Sequence, residues 1–153
     1  MGIWDEVYEC IKHSKKVLEI GCGIGDFARF LASKGMNVTG VDPYAEPQKG
    51  KNYTIKRAYG EELPFKDGSF DAVVSVRTLH HTDAEKTLGE AYRVLKKEGM
   101  VCISDWKKGA DTGINEDYFS PQEIKEMLIK AGFKNIGFFP CSDDRMMMVW
   151  GRK

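Results

Sequence analysis

The chain has 153 residues, a length that predicts one domain spanning 1–153, and its 42% hydrophobic and 30% charged residues are typical of globular proteins rather than disordered or collagen-like chains. Lysine and arginine number 23, as do aspartate and glutamate, so the net charge is zero, which argues against a nucleic-acid coat protein or a polybasic membrane binder. The lack of a long apolar run, of a signal-peptide core in residues 1–16 and of any CxxC pair predicts a cytoplasmic protein with reduced thiols, no membrane contact and no metal site.

Short apolar runs alternate with helical patterns, which predicts an α/β protein with a mostly parallel sheet. In the first half, strands are expected over residues 17–20, 37–41, 53–58 and 70–76, and a helix over 26–34 that ends before Gly35. A short N-terminal helix or cap is expected within residues 1–16, since the apolar residues of segment 3–11 lie on one helical face. The stretch 43–52 contains two prolines and a glycine and cannot hold a normal helix.

The second half contains two helix-start patterns. Thr82 to Glu85 and Ser120 to Glu123 both fit a capping box, and the helices that follow are expected to end at Gly99 and Gly132. Strands are predicted over 100–104, 133–139 and 145–150. The last two strands are separated only by residues 140–144, too few for a parallel crossover, so they are expected to form an antiparallel hairpin that puts one reversed strand at the end of the sheet.

A glycine-rich turn lies between the first strand and the first helix after it, in the sequence VLEIGCGIGD. Glycines there allow a tight turn and let a ligand approach the main chain. Asp42, at the end of the second strand, is placed to accept hydrogen bonds from both hydroxyls of a ribose. A dinucleotide site requires glycine where this chain has Asp26, whose charge would repel a pyrophosphate. A cofactor with a ribose but no phosphate, such as S-adenosylmethionine, is therefore favoured.

With these motifs the sequence resembles the class I S-adenosylmethionine-dependent methyltransferases, and among them the small-molecule group that includes the ubiquinone and menaquinone C-methyltransferases. The resemblance rests on VLEIGCGIG, on VTGVDP over 38–43, on residues 60–82 and on RVLKKEGMVCISD over 93–105. It implies a three-layer, Rossmann-like sheet that is mostly parallel and has an antiparallel last strand. It also implies methyl transfer from S-adenosylmethionine.

The resemblance also implies roles for individual residues. Glu19 would help to hold the amino group of the cofactor, Gly21, Cys22 and Gly23 would form the turn under its methionine part, and Val76 would face the amino group and the methyl. The ribose would lie at Asp42 and Pro43, and the adenine along Tyr59, Gly60 and Glu61.

The chain departs from the family at two places. The family usually has an aspartate that reads the adenine amino group where this chain has Tyr59, so Tyr59 is expected to stack on the ring, or Glu61 or the Gly60 backbone to replace the aspartate. The family also has a full helix between its second and third strands, which here is predicted to be reduced or absent. The sheet face left open would be covered by the N-terminal helix, by a second copy in a homodimer, or by a protein partner.

Candidate catalytic and substrate-side residues follow the fourth and fifth strands. His80 and His81 lie where the methyl should emerge, and either is a candidate base for an acceptor that must lose a proton, or a residue that caps the turn and packs beside the cofactor. Arg77 either meets an anionic acceptor or is a solvated turn residue. Asp105 and Trp106 end the fifth strand on the same rim, and Trp106 either stacks on a planar acceptor or packs.

The acceptor is expected to be a small molecule. Nucleic acid remains an alternative, because Lys49, Lys51, Lys56 and Arg57 form a basic stretch, although a solvated strand edge is the favoured interpretation. Two other functions stay open from the sequence: a non-catalytic, cofactor-binding subunit that supports a protein partner, and a nicotinamide oxidoreductase, which Asp26 and the terminal hairpin disfavour.

Overall fold

The computed structural model describes all 153 residues, which form four α-helices, eight strands and one short 3-10 helix. The helices are α1 (Ile3–Ile11), α2 (Asp26–Ser33), α3 (Ala84–Val94) and α4 (Pro121–Ala131), and the 3-10 helix is Leu79–His81. The strands are β1 (Lys16–Ile20), β2 (Asn37–Asp42), β3 (Gln48–Gly50), β4 (Tyr53–Arg57), β5 (Phe70–Val76), β6 (Leu95–Trp106), β7 (Lys134–Phe139) and β8 (Met146–Arg152). No helix is both long and apolar enough to cross a membrane.

All eight strands belong to one sheet, in the order β3-β4-β2-β1-β5-β6-β8-β7. β4, β2, β1, β5 and β6 pair in parallel, and β8 pairs antiparallel with both β6 and β7. The predicted α/β class, the mostly parallel sheet and the terminal hairpin are thus confirmed. The antiparallel last strand is confirmed as β8, which lies inside the sheet between β6 and β7, so that β7 forms the edge. Burial explains this order, since residues 146–149 of β8 are all buried, whereas β7 has no buried residue.

Helices cover both faces of the sheet, which gives the three layers. Successive β1 residues point to opposite faces: Val17 packs in a core with side chains of α1 and α2, and Leu18 in a core with side chains of α3 and α4. The strands of the centre are therefore apolar on both faces, as parallel strands between two helical layers must be.

The crossover between β2 and β4 contains no helix, as predicted. Its last part forms β3, which pairs antiparallel with β4 and becomes the sheet edge. α1 forms as expected, but it packs on β6 and α2 rather than at this edge. Little apolar surface remains there to be covered, because Ile55 is the only buried residue of β4 and the Arg29 guanidinium lies 5.8 Å above the Tyr53 ring.

One of the two predicted capping boxes is confirmed. The Ser120 hydroxyl accepts a hydrogen bond from the Glu123 N–H, and the Glu123 carboxylate accepts one from the Ser120 N–H. The box predicted at Thr82 is wrong: Asp83 caps α3 by accepting from the Lys86 N–H, while the Thr82 hydroxyl donates to the Leu79 carbonyl.

The predicted end of α3 at Gly99 is also wrong. The helix ends at Val94, because the chain enters β6 at Leu95, which pairs with Phe70 of β5.

Substitutions of two glycines, one in the core and one on the surface, test how closely the core is packed around β2. A Cβ on Gly40 of β2 would lie 2.7 Å from the Cys22 Cβ and 2.9 Å from the Ile55 Cδ1, so the glycine-rich turn and the Ile55 side chain of β4 can pack on β2 only without it. We expect Gly40→Ala to lower the free energy of unfolding by about 1–3 kcal/mol, the usual cost of overpacking. Gly89 is an exposed residue of α3 with open space around it, so Gly89→Ala should raise stability by about 0.5–1 kcal/mol. Urea unfolding of both variants measures the contrast, and equal effects would contradict the close packing of Cys22 and Ile55 against Gly40.

Candidate functional site

A cavity of about 470 Å³ opens at the carboxyl ends of β1, β2, β4 and β5. Its lining comes from the segments that follow these strands: Ile20, Gly21, Val41, Asp42, Pro43, Tyr44, Ala58, Tyr59, Gly60, Glu61, Thr78, His81 and Thr82. Open α/β sheets bind their ligands at this edge. Of the residues predicted to bind a cofactor, the cavity brings together Gly21, Asp42, Pro43, Tyr59, Gly60 and Glu61.

The glycine-rich turn bends over the end of β2. Gly21, Gly23 and Gly25 all have positive φ values, 81°, 53° and 91°, which favour glycine. The N–H groups of Gly21 and Cys22 both donate to the Val41 carbonyl, at 2.8 and 3.0 Å. The turn also leaves no space at Gly21, because a Cβ there would lie 2.2 Å from the Thr78 side chain. These hydrogen bonds and the contact with Thr78 fix the shape of the turn at the edge of the cavity.

The Asp42 carboxylate is held against the turn by two backbone groups. Its Oδ2 accepts a hydrogen bond from the Gly23 N–H at 3.1 Å, and its Oδ1 accepts one from the Tyr44 N–H at 2.9 Å. Each carboxylate oxygen has a further lone pair. The side chain lines the cavity, so Asp42 is fixed in place and can still accept hydrogen bonds from a diol.

Glu19 lies buried under the turn and does not line the cavity. Its Oε1 is buried without a hydrogen-bond partner. Burial and, to a lesser extent, the nearby Asp42 charge raise the pKa of the Glu19 carboxyl to about 8, against the opposing effect of the Ala28 N–H. A buried carboxyl without a partner is costly, and a cationic or hydrogen-bond-donating ligand group would relieve that cost.

The segment after β4 lines the cavity with Ala58, Tyr59, Gly60 and Glu61. Tyr59 is 61% exposed and lies on the rim. Gly60 is closely packed, because a Cβ at this position would lie 2.8 Å from the Ile20 Cγ2. Glu61 turns toward the start of α3, where its Oε2 accepts a hydrogen bond from the Asp83 N–H at 3.1 Å. Tyr59 is therefore the side chain of this segment that is free to stack on a planar ligand.

Two predicted cofactor residues have their side chains in the core. Cys22 packs with side chains of α2, and burial is the main cause that raises the pKa of its thiol to about 12, so it is not a nucleophile. Val76 packs against the same core, and its carbonyl accepts a hydrogen bond from the Thr78 hydroxyl at 3.1 Å. Gly23 lies outside the cavity lining and acts on the site through its N–H, which donates to Asp42, and Cys22 and Val76 could contribute only backbone groups.

Two of the predicted substrate-side residues, Arg77 and Trp106, form a rim beyond the cavity, whereas Asp105 is wrongly predicted to lie on that rim, because its side chain is buried against His80. Arg77 has a φ of 55°, unusual for a residue with a side chain, and its N–H donates to the Ser104 carbonyl at 2.7 Å. The guanidinium groups of Arg77 and Arg145 lie 4.9 and 5.2 Å from the centre of the Trp106 ring. Trp106 is therefore occupied by two cation–π contacts, and Arg145 is a rim residue that the sequence analysis missed.

The structure brings His80 and Asp105 together, although the sequence analysis treated them separately. The His80 Nδ1 lies 2.8 and 2.9 Å from the two Asp105 carboxylate oxygens, and both side chains are almost completely buried. The Asp105 carboxylate also accepts from the N–H groups of His80 and Trp106. His81 is 57% exposed and lines the cavity. Asp105 thus fixes the orientation of the His80 ring.

Glu116, which the sequence analysis also missed, completes this group. It lies in the loop between β6 and α4, and its carboxylate oxygens are 3.3 Å from the His80 Nε2 and 3.6 Å from the His81 Nε2. No sequence motif marks Glu116. The only feature of the sequence that could have pointed to Glu116 was its place in the loop after β6.

Comparison with known proteins shows that the chain is similar to methyltransferases. Residues 18–103 match the family model described as "Methyltransferase domain". The chain is 34% identical over 124 residues to the 2-methyl-6-phytyl-1,4-hydroquinone methyltransferase of a Synechocystis strain, a match that covers 73% of this chain and 38% of the relative. It is 30% identical over 158 residues to the glycine/sarcosine/dimethylglycine N-methyltransferase of Actinopolyspora halophila, over 87% of this chain and 28% of the relative.

Solved structures agree with the fold. A SAM-dependent methyltransferase from Aquifex aeolicus superposes with a TM-score of 0.83 at 20% identity, over 99% of this chain and 89% of that chain. The chain spans less than half the length of the two curated relatives, from Synechocystis and Actinopolyspora. The alternative of a nicotinamide oxidoreductase finds no support in these comparisons.

The orphaned Glu19 predicts a distinctive pH dependence of stability. Its pKa is about 8 in the folded chain against an ordinary value of 4.5, so the unfolded chain ionises first as pH rises. The stabilising contribution of Glu19 is complete below about pH 4.5 and is lost between there and about pH 8. We therefore expect the melting temperature of the wild type to fall relative to that of Glu19→Gln over this range.

Glu123 provides the control for this experiment. The Ser120 N–H is the main cause that lowers the pKa of Glu123, so its contribution is complete above its ordinary pKa and is lost only in acid. The difference between wild type and Glu123→Gln should therefore stay constant from about pH 5 to about pH 8. A constant difference for Glu19→Gln as well would show that Glu19 is ionised in the folded chain.

Proposed function

The chain belongs to the methyltransferase-domain family, as a class I S-adenosylmethionine-dependent member, and we propose that it transfers a methyl group from S-adenosylmethionine to a small-molecule acceptor. The observation that carries the proposal is a cavity lined by a backbone-anchored Asp42 and by the glycine turn at Gly21, with the orphaned carboxyl of Glu19 buried beneath that turn. The Asp42 carboxylate suits the hydroxyls of a ribose, and the Glu19 carboxyl suits the cationic amino group of an amino acid. The glycine turn, which lacks side chains, allows a methionine chain to approach closely.

The residues present fit this cofactor part by part. Asp42 would accept hydrogen bonds from the ribose hydroxyls, and the rim tyrosines Tyr44 and Tyr59, 86% and 61% exposed, would be partly covered by the bound nucleoside. The positive charges of the methionine part would favour ionised Glu19 and so lower its raised pKa. Tyr59 would replace by stacking what the family usually achieves with an aspartate.

When bound, the cofactor supplies an activated methyl group on a sulfonium. The residues of the chain then need mainly to align the acceptor and to exclude water. Thr78 and His81 line the cavity next to the glycine turn, where the acceptor would approach. His80 does not reach the cavity, and its Nδ1 is already committed to Asp105. A role as base for either histidine stays a prediction.

The proposed acceptor is a small molecule, and its chemical identity is left unspecified. The names of the two relatives indicate a hydroquinone acceptor for one and glycine and its N-methyl derivatives for the other. Acceptors of such different chemistry argue that acceptor choice depends on segments beside the cofactor cavity rather than on the cofactor cavity itself. In this chain those are the rim of Arg77 and Trp106 and the loop that carries Glu116.

Location and assembly are proposed on separate grounds. Four free cysteines favour a reducing compartment, which supports the cytoplasm. A homodimer or a protein partner stays a proposal, supported by the open β7 edge, where Phe138 and Phe139 are 51% and 39% exposed. Nucleic acid is not favoured, since Arg57 of the basic stretch is engaged with the Ala45 carbonyl and Glu46.

The activity can be tested with S-adenosylmethionine labelled in its methyl group. The purified chain is incubated with this cofactor and a small-molecule extract, and mass spectrometry identifies labelled products. A labelled product that needs the chain supports the proposal. Binding of S-adenosylhomocysteine without any product would instead favour a non-catalytic, cofactor-binding subunit.

Asp42→Ala should weaken the binding of S-adenosylhomocysteine at least about tenfold, because hydrogen bonds to a charged group contribute about 1.5–3 kcal/mol. Asp26→Ala is the matched control: Asp26 also lies at the glycine turn, but its carboxylate pairs with Arg29 at 2.7 Å and lines no part of the cavity. Titration calorimetry gives both affinities, and wild-type affinity in Asp42→Ala would rule out the ribose site.

Tyr59→Ala should weaken the same ligand about two- to tenfold, the equivalent of the 0.5–1.5 kcal/mol that aromatic stacking contributes. Tyr59→Phe keeps the ring and loses only the hydroxyl, so it should bind as the wild type does. If instead Tyr59→Phe is as weak as Tyr59→Ala, the hydroxyl rather than the ring reads the adenine.

A further inference from the structure

Three side chains that bear nitrogen or oxygen ligands converge beside the cavity. The ligand atoms of His80, His81 and Glu116 all lie within 4.8 Å of one another. Glu116 approaches both rings, with one carboxylate oxygen 3.3 Å from the His80 Nε2 and the other 3.6 Å from the His81 Nε2. The two histidines come from the 3-10 helix after β5 and the glutamate from the loop after β6, so only the fold brings the group together.

The His80 Nε2 is buried without a hydrogen-bond partner. Its side chain is only 3% exposed, and its 3.3 Å approach to Glu116 lacks the geometry of a hydrogen bond. Two ligands of one tetrahedral zinc ion, each about 2.0–2.1 Å from the metal, lie about 3.3–3.4 Å apart. The separation of this nitrogen from the carboxylate therefore suits two ligands of one ion.

Both of the less exposed ligands have a partner behind them. The His80 Nδ1 donates to Asp105, which leaves the lone pair of Nε2 available to a metal ion. The Tyr118 hydroxyl donates to the Glu116 Oε2 at 3.1 Å and is itself within 2.8 Å of the Thr112 hydroxyl. Such supporting hydrogen bonds orient the ligands in most metal sites, and a carboxylate behind a ligating histidine is one of their usual forms.

We propose that the His80 Nε2, the His81 Nε2 and the Glu116 carboxylate bind a divalent transition-metal ion of the zinc class. Two imidazoles and one carboxylate suit Zn²⁺, Fe²⁺ or Co²⁺, whereas Mg²⁺ and Ca²⁺ prefer oxygen ligands only. The site replaces the expectation from the sequence, in which no cysteine motif pointed to a metal. It also gives the two histidines a role other than accepting a proton.

The position of the ion relates it to the proposed methyl transfer. His81 lines the cavity, so the ion would lie beside the proposed cofactor site. Three protein ligands leave a fourth position open, as in catalytic zinc sites. Resting on the proposed function, that open position would take an oxygen or sulfur atom of the acceptor and favour its anionic form.

The test is a metal titration of the full chain after treatment with a chelator. Calorimetry with Zn²⁺ should show one ion per chain with micromolar or tighter affinity, and Co²⁺ should give a visible absorption band on binding. Asp105→Asn removes only the support behind His80 and should lower the affinity for Zn²⁺ about 10–100-fold. His81→Ala and Glu116→Gln each remove a ligand at the more exposed side of the group and should lower the affinity at least as much. Circular dichroism verifies that the variants are folded.

His13 provides a matched control, because it is the one other histidine of the chain and is exposed after α1. His13→Ala, Cys10→Ser and Cys141→Ser should bind Zn²⁺ as the wild type does. The proposal is overturned by an absence of saturable binding, by binding that His81→Ala and Glu116→Gln leave unchanged, or by binding that the cysteine variants abolish. The affinity of the metal-free chain for S-adenosylhomocysteine is measured in parallel and reports on the cofactor site independently.

Discussion

The contact between Gly21 and Thr78 is the constraint on which the geometry of the site depends. β1 and β5 are neighbours with Ile20 opposite Ser75, so the turns that follow them leave the sheet at the same level. They can pass each other only because Gly21 has no Cβ, which would lie 2.2 Å from the Thr78 side chain. The turn after β1 is thereby pressed over the end of β2, where its N–H groups reach the Val41 carbonyl and Asp42.

The other half of the constraint is the strained exit from β5. Arg77 adopts a left-handed conformation, which costs a residue with a side chain about 1–2 kcal/mol. The hydrogen bond from its N–H to Ser104 of β6 and the stacking of its guanidinium on Trp106 offset part of that cost. The reversal directs Thr78 at the glycine turn and carries the following 3-10 helix back to β6, where His80 meets Asp105. One unusual backbone angle thus positions both the cavity wall and the histidines.

Local patterns predicted most of the fold, because each strand and helix is specified by its own periodicity and by glycine or proline at its ends. The glycine turn and Asp42 were predictable for the same reason: both ends of that site lie in motifs with a fixed spacing. The position of β8 inside the sheet was not, since it depends on the relative burial of two strands that both read as apolar. The capping of α3 by Asp83 rather than Thr82 depended on Leu79, whose carbonyl accepts a hydrogen bond from the threonine hydroxyl.

The group around His80 could not be predicted for a different reason. His80, Asp105 and Glu116 lie in three segments with no common motif, and the parallel pairing of β5 with β6 places the first two together.

Two buried carboxylates show how the same fold divides binding from positioning. Asp105 is 1% exposed and is fully engaged by the His80 ring and by the N–H groups of His80 and Trp106. Glu19 is 3% exposed, yet one of its oxygens has no partner, and its pKa is raised to about 8. Burial of a charge is tolerated when its partners are permanent, and without them the group stays protonated until a ligand supplies the partner. Asp105 is therefore part of the framework that holds His80, and Glu19 is the group whose ionisation responds to whatever occupies the cavity.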